Sequence, residues 1–216
     1  MCAKKEVRVI SDDQNSNECL KQLNQEMALL SELSHPNIVQ YYGSKLGVDN
    51  LPVYLEFVSG GSIHKLLSEY GSFSEPLIQN YTKQILSGLA YLHGRQAMHR
   101  DIKDDNLFLM LSFEGSAYWM APEWLLLPSL AVDIWSLGCT ILEMATLKPP
   151  WSQYEGVAAI LKIAESKNYP EIPSHQSEDA QSFVKLSLLR DPSIRPPASQ
   201  LLHHTFIENL KDRKNC

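Results

Sequence analysis

HRDIKDDN, residues 99–106, is the most informative stretch of this 216-residue chain. It places a carboxylate at Asp101, an ammonium group at Lys103 and a carboxamide at Asn106 within six residues. Taken alone, Asp101 and Asn106 would be ordinary turn residues, because Asp and Asn side chains favour turns. A second motif, APE, begins fifteen residues after Asn106 and occupies residues 121–123. Neither motif identifies a function by itself, so the rest of the chain decides between a turn and a functional site.

Composition excludes several classes of protein. Apolar residues make up 44% of the chain, which is enough for a sizeable core. The net charge of -6 gives no basic surface, so we expect no nucleic-acid partner. No apolar run approaches the length of a membrane span, and the N-terminus has no apolar signal core, so we expect no membrane partner. The four scattered cysteines form no CxxC pair, which favours a reducing, cytoplasmic location.

The pattern of apolar residues predicts strands first and helices afterwards. Alternate apolar positions predict strands over residues 2–10, 38–42 and 51–57. An amphipathic helix is predicted between the first two strands from five apolar residues at helical spacing: Leu20, Leu23, Met27, Leu30 and Leu33. Later helices are predicted over residues 74–94 and 132–144, and around Phe183, Leu186 and Leu189. This order predicts an α+β fold with two lobes that meet near Gly60.

With these elements in place, the chain resembles a protein kinase, in particular the catalytic domain of a plant mitogen-activated protein (MAP) kinase kinase kinase of the MEKK type. The runs that carry the resemblance are HPNIVQYYG, YLEFVSGGSIHKLL, ILSGLAYLHG, MHRDIK, YWMAPE, AVDIWSLGCTILEMATLKPPW and RDPSIRP. The resemblance implies a single kinase domain over residues 1–216, with a two-lobed kinase-like fold. Its truncated, β-rich N-lobe would cover residues 1–58, and its mainly helical C-lobe residues 59–216.

The resemblance implies serine/threonine kinase chemistry at the HRDIKDDN stretch. Asp101 matches the residue that accepts or orients the proton of the substrate hydroxyl. Lys103, which would approach the γ-phosphate, is typical of serine/threonine kinases, and Asn106 would hold a magnesium ion. ATP and magnesium are thus the implied cofactors. The implied partner is a protein substrate, a MAP kinase kinase, in a cytoplasmic signalling cascade.

The nucleotide-binding residues implied by the resemblance lie mostly in the first sixty residues. Lys5 matches the strand lysine of the V-A-I-K motif, here CAKK with Ala3 as its alanine, although Lys4 stands where the family has an apolar residue. Glu26 would be the ion-pair partner of Lys5. Without the motif, Lys5 would be interpreted as an exposed strand residue and Glu26 as part of a solvated helix face. Adenine would be bound by backbone groups of a hinge from Glu56 to Val58, next to Leu55, which matches the gatekeeper position.

Other matching positions imply structural and regulatory roles. Asp133 would anchor the catalytic loop from the buried helix, and Glu123 would form a buried ion pair with Arg195. Arg100 implies control by phosphorylation, because a guanidinium pairs well with phosphate. Two serines are available for that control: Ser112 matches a phosphosite better, and Ser116 matches a residue that contacts Asp101 and the substrate.

The sequence departs from the family at three places. No GxGxxG loop occurs, since the chain begins at the lysine strand. Asn106 continues through LFLM into LSFEGS without a DFG motif, which predicts an internal deletion at Met110–Leu111. By comparison with the kinase motif set, about two to three dozen residues are missing there. The spacing from Glu123 to Asp133 is also short, and WLLLPS is an unusually apolar loop.

These departures leave two hypotheses open. The DFG aspartate chelates magnesium in the family, and losing such a contact costs on the order of a thousandfold in rate. Asp104 and Asp105 are expected to be solvated rather than to replace it. The first hypothesis is an active serine/threonine kinase, and the second is a pseudokinase-like binding module. For this polypeptide we expect weak or absent activity. The seam itself is predicted to come from a skipped exon or a faulty gene model.

Overall fold

The computed structural model describes residues 2–8, 27–45, 50–99, 102, 117–124, 129–155, 157–166 and 169–209. The chain forms two compact units, Met1–Gly60 and Gly61–Cys216. A small antiparallel sheet occupies the first unit, and the described part of the second is mostly helical. The predicted fold class, a truncated two-lobed kinase-like α+β fold, is confirmed.

The first unit contains three described strands, β1 (Cys2–Arg8), β2 (Tyr41–Ser44) and β3 (Asn50–Glu56). All pairs are antiparallel, and β3 lies in the middle of the order β1-β3-β2. The strand predicted over residues 38–42 begins late, because a turn closed by the Ile38 N–H and the His35 carbonyl comes first. A bulge then interrupts β2 at Gly43, whose φ of 146° suits glycine.

A helical stretch at residues 27–32 supplies part of the first unit's core. Met27, Leu30 and Leu33 are buried, as their helical spacing predicts. The stretch stops before Pro36, in agreement with the restriction that proline places on the preceding residue. The earlier part of the predicted helix, including Leu20, Leu23 and Glu26, lies outside the described residues.

Seven helices lie in the described part of the second unit. They are α1 (Ile63–Tyr70), α2 (Glu75–His93), α3 (Ala131–Thr146), α4 (Val157–Glu165), α5 (Glu178–Ser187), α6 (Ala198–Leu201) and α7 (Thr205–Glu208), with a 3-10 turn at Ala117–Trp119. The helices predicted over residues 74–94 and 132–144 are confirmed as α2 and α3. No helix in the described ranges is long and apolar enough to cross a membrane.

Sequence patterning missed or misplaced some of these helices. Helix α5 begins earlier than its apolar residues indicated, because the Ser177 side chain caps it by accepting a bond from the Ala180 N–H. Helix α1 was not predicted, although Ser62 caps it in the same way. Helix α4 was also missed, and its apolar residues Val157 and Leu161 are largely exposed, so it lacks a clean amphipathic pattern.

Helix α3 is the centre of the second unit's core. Every residue from Val132 to Ala145 is buried, as predicted from a helix that is apolar nearly all round. Gly138 lets this helix approach the end of α5, because a Cβ there would lie 2.9 Å from Leu188 Cδ2 and from Ser187 Cβ. A larger residue at position 138 would therefore force the two elements apart.

We expect Gly138→Ala to destabilise the second unit by about 1–2 kcal/mol. Overpacking typically costs about 1–3 kcal/mol, and the better helix propensity of alanine returns up to about 1 kcal/mol. Urea denaturation measures the free energy of unfolding. Gly60→Ala is the matched control, since a Cβ there meets nothing within 4 Å. A Gly138→Ala variant as stable as the control would contradict this account of the α3–α5 approach.

The N-terminus of α7 is capped by a histidine. His204 Nδ1 accepts a hydrogen bond from the Phe206 N–H at 3.1 Å, and the ring packs edge-on against Phe183. Burial lowers the pKa of His204, although the Asp179 carboxylate acts in the opposite direction. The cap requires an unprotonated Nδ1, so hydrogen bonding and burial both favour the neutral ring.

We expect this cap to make stability fall as the pH is lowered. Because the folded-state pKa of His204 lies below its ordinary value, the unfolded chain takes up the proton first, and stability declines as the pH falls below about 6.5. His204→Asn keeps a capping oxygen without a titrating ring, so the stability of this variant should fall less steeply over the same pH range. Thermal unfolding of both proteins across this range tests the prediction, and identical pH slopes would refute it.

Candidate active site

Most of the predicted catalytic residues lie outside the described residues. These are Glu26, Arg100, Asp101, Lys103, Asp104, Asp105, Asn106, Ser112 and Ser116. The structure describes their neighbours His99 and Ile102, both of which are buried. It also describes Ala3, Lys5, Leu55, Glu56 and Val58, together with the three residues predicted to be structural.

The register of β1 against β3 distinguishes the two neighbouring lysines. Lys5 lies opposite Val53, which is only 1% exposed, and Ala3 lies opposite Leu55. Directly opposite residues share a face of the sheet, so Ala3 and Lys5 lie on the covered face. Lys4 lies on the other face and pairs with exposed Glu6, whose hydrogen bond and charge raise the pKa of Lys4. The register therefore favours Lys5 over Lys4 as the V-A-I-K lysine.

Backbone hydrogen bonding within the sheet ends at Glu56. Its N–H donates to the Gln40 carbonyl at 2.8 Å, and its carboxylate accepts from the Gln40 N–H at 3.2 Å. No described residue accepts a hydrogen bond from the backbone N–H of Phe57 or Val58. Val58 is also 50% exposed, so the predicted hinge keeps backbone groups available to a ligand.

In the second unit, Asp133 holds the backbone at the start of the HRDIKDDN stretch. Its Oδ2 accepts a hydrogen bond from the His99 N–H at 2.8 Å, and His93 Nε2 lies at the same distance from the same oxygen. Asp133 is fully buried in the first turn of α3. The predicted anchoring of the loop by Asp133 is thus confirmed at His99, two residues before Asp101.

The predicted ion pair between Glu123 and Arg195 is confirmed. Arg195 Nη1 lies 2.6 Å from Glu123 Oε1, and Nη2 lies 3.3 Å from Oε2, so the contact is bidentate. The remaining N–H groups of Arg195 donate to the carbonyls of Leu189 and Ala131, which uses all five donors of the guanidinium. Its side chain is fully buried and lies over the Trp135 ring.

The segment just before APE is attached to α3 as well. The Ser136 hydroxyl donates to the Trp119 carbonyl at 2.8 Å, and the Trp119 indole N–H donates to Glu143 Oε2 at 3.1 Å. Tyr118 adds a hydrogen bond to the carbonyl of Tyr154. Sequence reasoning missed the Trp119–Glu143 contact. The available signal was Glu143 itself, a charged residue on a helix that is otherwise apolar nearly all round.

The residues present fit a nucleotide better than they fit two magnesium ions. Lys5 on the covered sheet face and the unpaired hinge N–H groups suit a triphosphate and an adenine ring. Asn106, the implied magnesium ligand, lies outside the described residues, and the chain has no DFG aspartate. Within the described ranges, no group of three or more His, Cys, Asp or Glu side chains is placed to hold a metal ion.

Comparison with known proteins identifies the family. The profile of the protein kinase domain matches residues 1–112 and 109–207. This chain belongs to the protein kinase family. The kinase profile matches in two pieces that meet at residues 109–112, the place where the sequence predicts the seam.

The similar curated proteins are MAP kinase kinase kinases. The chain is 62% identical to mitogen-activated protein kinase kinase kinase 3 of Arabidopsis thaliana, over 97% of the chain and 38% of that protein. It is 54% identical to the kinase YODA of the same plant, over 97% of the chain and 27% of YODA. Identity to mitogen-activated protein kinase kinase kinase A of Dictyostelium discoideum is 42%. The chain thus spans well under half the length of these relatives.

The alignment with the first of these relatives also points to missing residues. It extends over 234 positions but includes only 97% of this 216-residue chain, so at 18 or more of those positions the relative has a residue that the chain lacks. The alignment length does not locate these residues, so the internal deletion at Met110–Leu111 stays a prediction.

We expect Arg195→Met to reduce the free energy of unfolding by about 3–5 kcal/mol, because it leaves the Glu123 carboxylate without its buried partner. Chemical denaturation followed by tryptophan fluorescence measures the loss. Lys65→Met is the control: its partner Glu69 is 3.8 Å away on the surface, and such pairs contribute at most about 1 kcal/mol. Equal losses in the two variants would mean that the Glu123–Arg195 pair does not support this unit.

Proposed function

We propose that this chain is a serine/threonine kinase domain of the MAP kinase kinase kinase type with slow phosphotransfer. Its substrate would be a serine or threonine of a MAP kinase kinase, in a cytoplasmic cascade. The observation that carries the proposal is the anchored start of the catalytic loop, where buried Asp133 holds the His99 backbone two residues before Asp101. The family match and the kinase kinase kinase relatives support it.

The roles of the chain's own residues follow from that position. Asp101 would orient the substrate hydroxyl and take up its proton, and Lys103 would stabilise negative charge on the transferred phosphoryl group. Lys5 would hold the α- and β-phosphates, with Glu26 as its ion-pair partner. Bound ATP and magnesium supply the phosphoryl group and neutralise part of its charge. Asn106 is the ligand that this chain offers to the metal.

Slow turnover is proposed because this type of catalysis depends on electrostatic placement. A kinase does little covalent chemistry, so positioning and charge stabilisation supply almost all of the rate enhancement. The missing DFG aspartate would have neutralised charge between the β- and γ-phosphates. Its loss costs several kcal/mol, on the order of a thousandfold in rate. The divided profile match at residues 109–112 supports a loss at this place.

A second candidate function is a non-catalytic, protein-binding module. The observation that favours it is the well-formed attachment of residues 117–124 to α3, through Trp119, Glu143 and the Glu123–Arg195 pair. In kinases this part of the C-lobe faces the protein substrate. A chain that keeps this surface and loses its metal ligand would compete for partners without phosphorylating them.

A repaired chain tests the proposed function. The segment that this chain lacks is taken from the 62%-identical Arabidopsis relative and inserted between Met110 and Leu111. We expect the repaired chain to phosphorylate a MAP kinase kinase about a thousandfold faster than the natural chain. Asp101→Asn in the repaired chain should abolish the incorporation of radiolabelled phosphate, because a neutral carboxamide does not take up the hydroxyl proton.

The outcomes separate the two candidates. Equal rates for the natural and repaired chains would overturn the proposed impairment. A folded but inactive repaired chain would overturn the kinase proposal and leave the binding module.

Thermal unfolding with and without magnesium-ATP adds a binding readout, because a ligand that binds the folded state raises its melting temperature. Sequencing a transcript across Met110 would show whether the DFG codons are present in the gene product.

A further inference from the structure

A groove of about 660 Å³ lies in the second unit, and none of the described catalytic or nucleotide-binding residues lines it. Its walls come from the end of α3, the loop at residues 148–153, the end of α4 and residues 169–175. Clefts that bind ligands commonly enclose about 300–1,000 Å³, so this groove is large enough for a short peptide segment. The sequence-based prediction assigned no function to these residues.

The floor of the groove is aromatic and held in place. Trp151 is only 6% exposed, and its ring stacks on that of Trp135 with the centroids 6.1 Å apart. The φ of Trp151 is 58°, an unfavourable value that a residue other than glycine keeps only where its surroundings hold it. The Thr146 hydroxyl fixes the start of the loop, because it donates to the Lys148 carbonyl at 2.9 Å. The groove is therefore formed before a ligand arrives, which lowers the cost of binding.

One wall of the groove offers unpaired backbone groups. Residues 169–173 form neither helix nor strand, and Tyr169 and Glu171 are exposed. Within the described part of the chain, no group accepts a hydrogen bond from the N–H of Glu171 or Ile172, and none donates to the Pro170 carbonyl. An extended peptide can pair with such groups by lying alongside the segment, which is a recurring mode of peptide recognition. The wall thus favours an extended ligand over a helical one.

The rim of the groove carries an excess of positive charge. Lys148 and Lys162 are exposed, and neither forms an ion pair with any residue that the structure describes. Lys162 Nζ lies 5.8 Å from the centre of the Tyr154 ring, which attracts the ammonium group weakly. Among the described residues that line the groove, Glu171 is the one carboxylate, against the two lysines and His175. The chain as a whole has a net charge of -6, so this positive rim is a local feature that favours acidic ligands.

We propose that this groove is a docking site for an acidic, extended peptide segment of a protein partner. Carboxylates of the segment would meet Lys148 and Lys162, and its backbone would pair with residues 170–172. The inference goes beyond the proposed function and does not require phosphotransfer. It holds for a slow kinase and for a binding module alike.

Selection from a random peptide library tests the class of ligand. Short peptides displayed on phage are selected on the full natural chain, without ATP. We expect the enriched sequences to be rich in Asp and Glu and to lack an apolar repeat at helical spacing. One enriched peptide, synthesised with a fluorescent label, then serves as the probe in anisotropy measurements. Its dissociation constant should rise with salt concentration, because salt screens the attraction between exposed charges.

Charge variants test whether the probe binds in the groove. Lys148→Gln combined with Lys162→Gln should weaken binding by about five- to tenfold, since two exposed ion pairs are lost. Glu171→Gln should strengthen binding by about two- to threefold, a gain that a poorly folded variant would not show. Lys65→Gln is the matched control, because Lys65 is an exposed lysine of α1 outside the groove, and it should leave the affinity unchanged. The probe should also slow hydrogen exchange of the Glu171 and Ile172 amides.

The outcomes separate this proposal from the proposed function. No enrichment, or enrichment of proline-rich or apolar helical sequences without acidic residues, would overturn the acidic, extended ligand. A probe that binds the double glutamine variant as tightly as the natural chain, or leaves exchange at Glu171 and Ile172 unchanged, would overturn the groove as its site. Either failure would leave the proposed phosphotransfer untouched. An inactive repaired chain that binds the probe in the groove would overturn the kinase proposal alone.

Discussion

The buried carboxylate of Asp133 is the group on which the arrangement of the second unit depends. A charge taken out of water is tolerated only when hydrogen bonds replace its hydration. Helix α3 is buried on all sides, so its acidic side chains must find donors within the protein. Asp133 finds them at His93 and at the His99 backbone, and Glu143 finds one at Trp119. The two carboxylates thereby attach to α3 the segments that precede the catalytic loop and APE.

The frame of this unit and its chemistry depend on different residues. The frame consists of the Asp133 and Glu143 carboxylates of α3 with their donors, together with Arg195, which binds Glu123 and two backbone carbonyls. The chemistry of the family also needs metal ligands from the segment between Asn106 and APE. The predicted deletion at Met110–Leu111 would remove such a ligand, whereas every residue of the frame is present in the sequence. High identity to MAP kinase kinase kinases is therefore compatible with the slow phosphotransfer that we propose for this chain.

Much of this site was predictable from the sequence because its motifs carry long-range information. The pairing of Glu123 with Arg195 and the anchoring by Asp133 followed from the resemblance, and both are confirmed. Helix α2 followed from apolar residues at helical spacing, and helix α3 followed from a run that is apolar nearly all round. Helix α4 was missed because exposed Val157 and Leu161 blur its amphipathic pattern. Asp101, Lys103 and Asn106 remain predictions, because they lie outside the described residues.

The amino-acid sequence by itself determined the family, the two-part order of strands and helices, and the identity of the residues available for chemistry. Tertiary structure decided which of those residues meet. The register of β1 against β3 places Lys5, and not Lys4, on the covered face of the sheet, and His93 meets Asp133 across 40 residues of chain. The physical reason is that periodicity encodes which face of an element is buried. It carries no information about which group from elsewhere in the chain will cover that face.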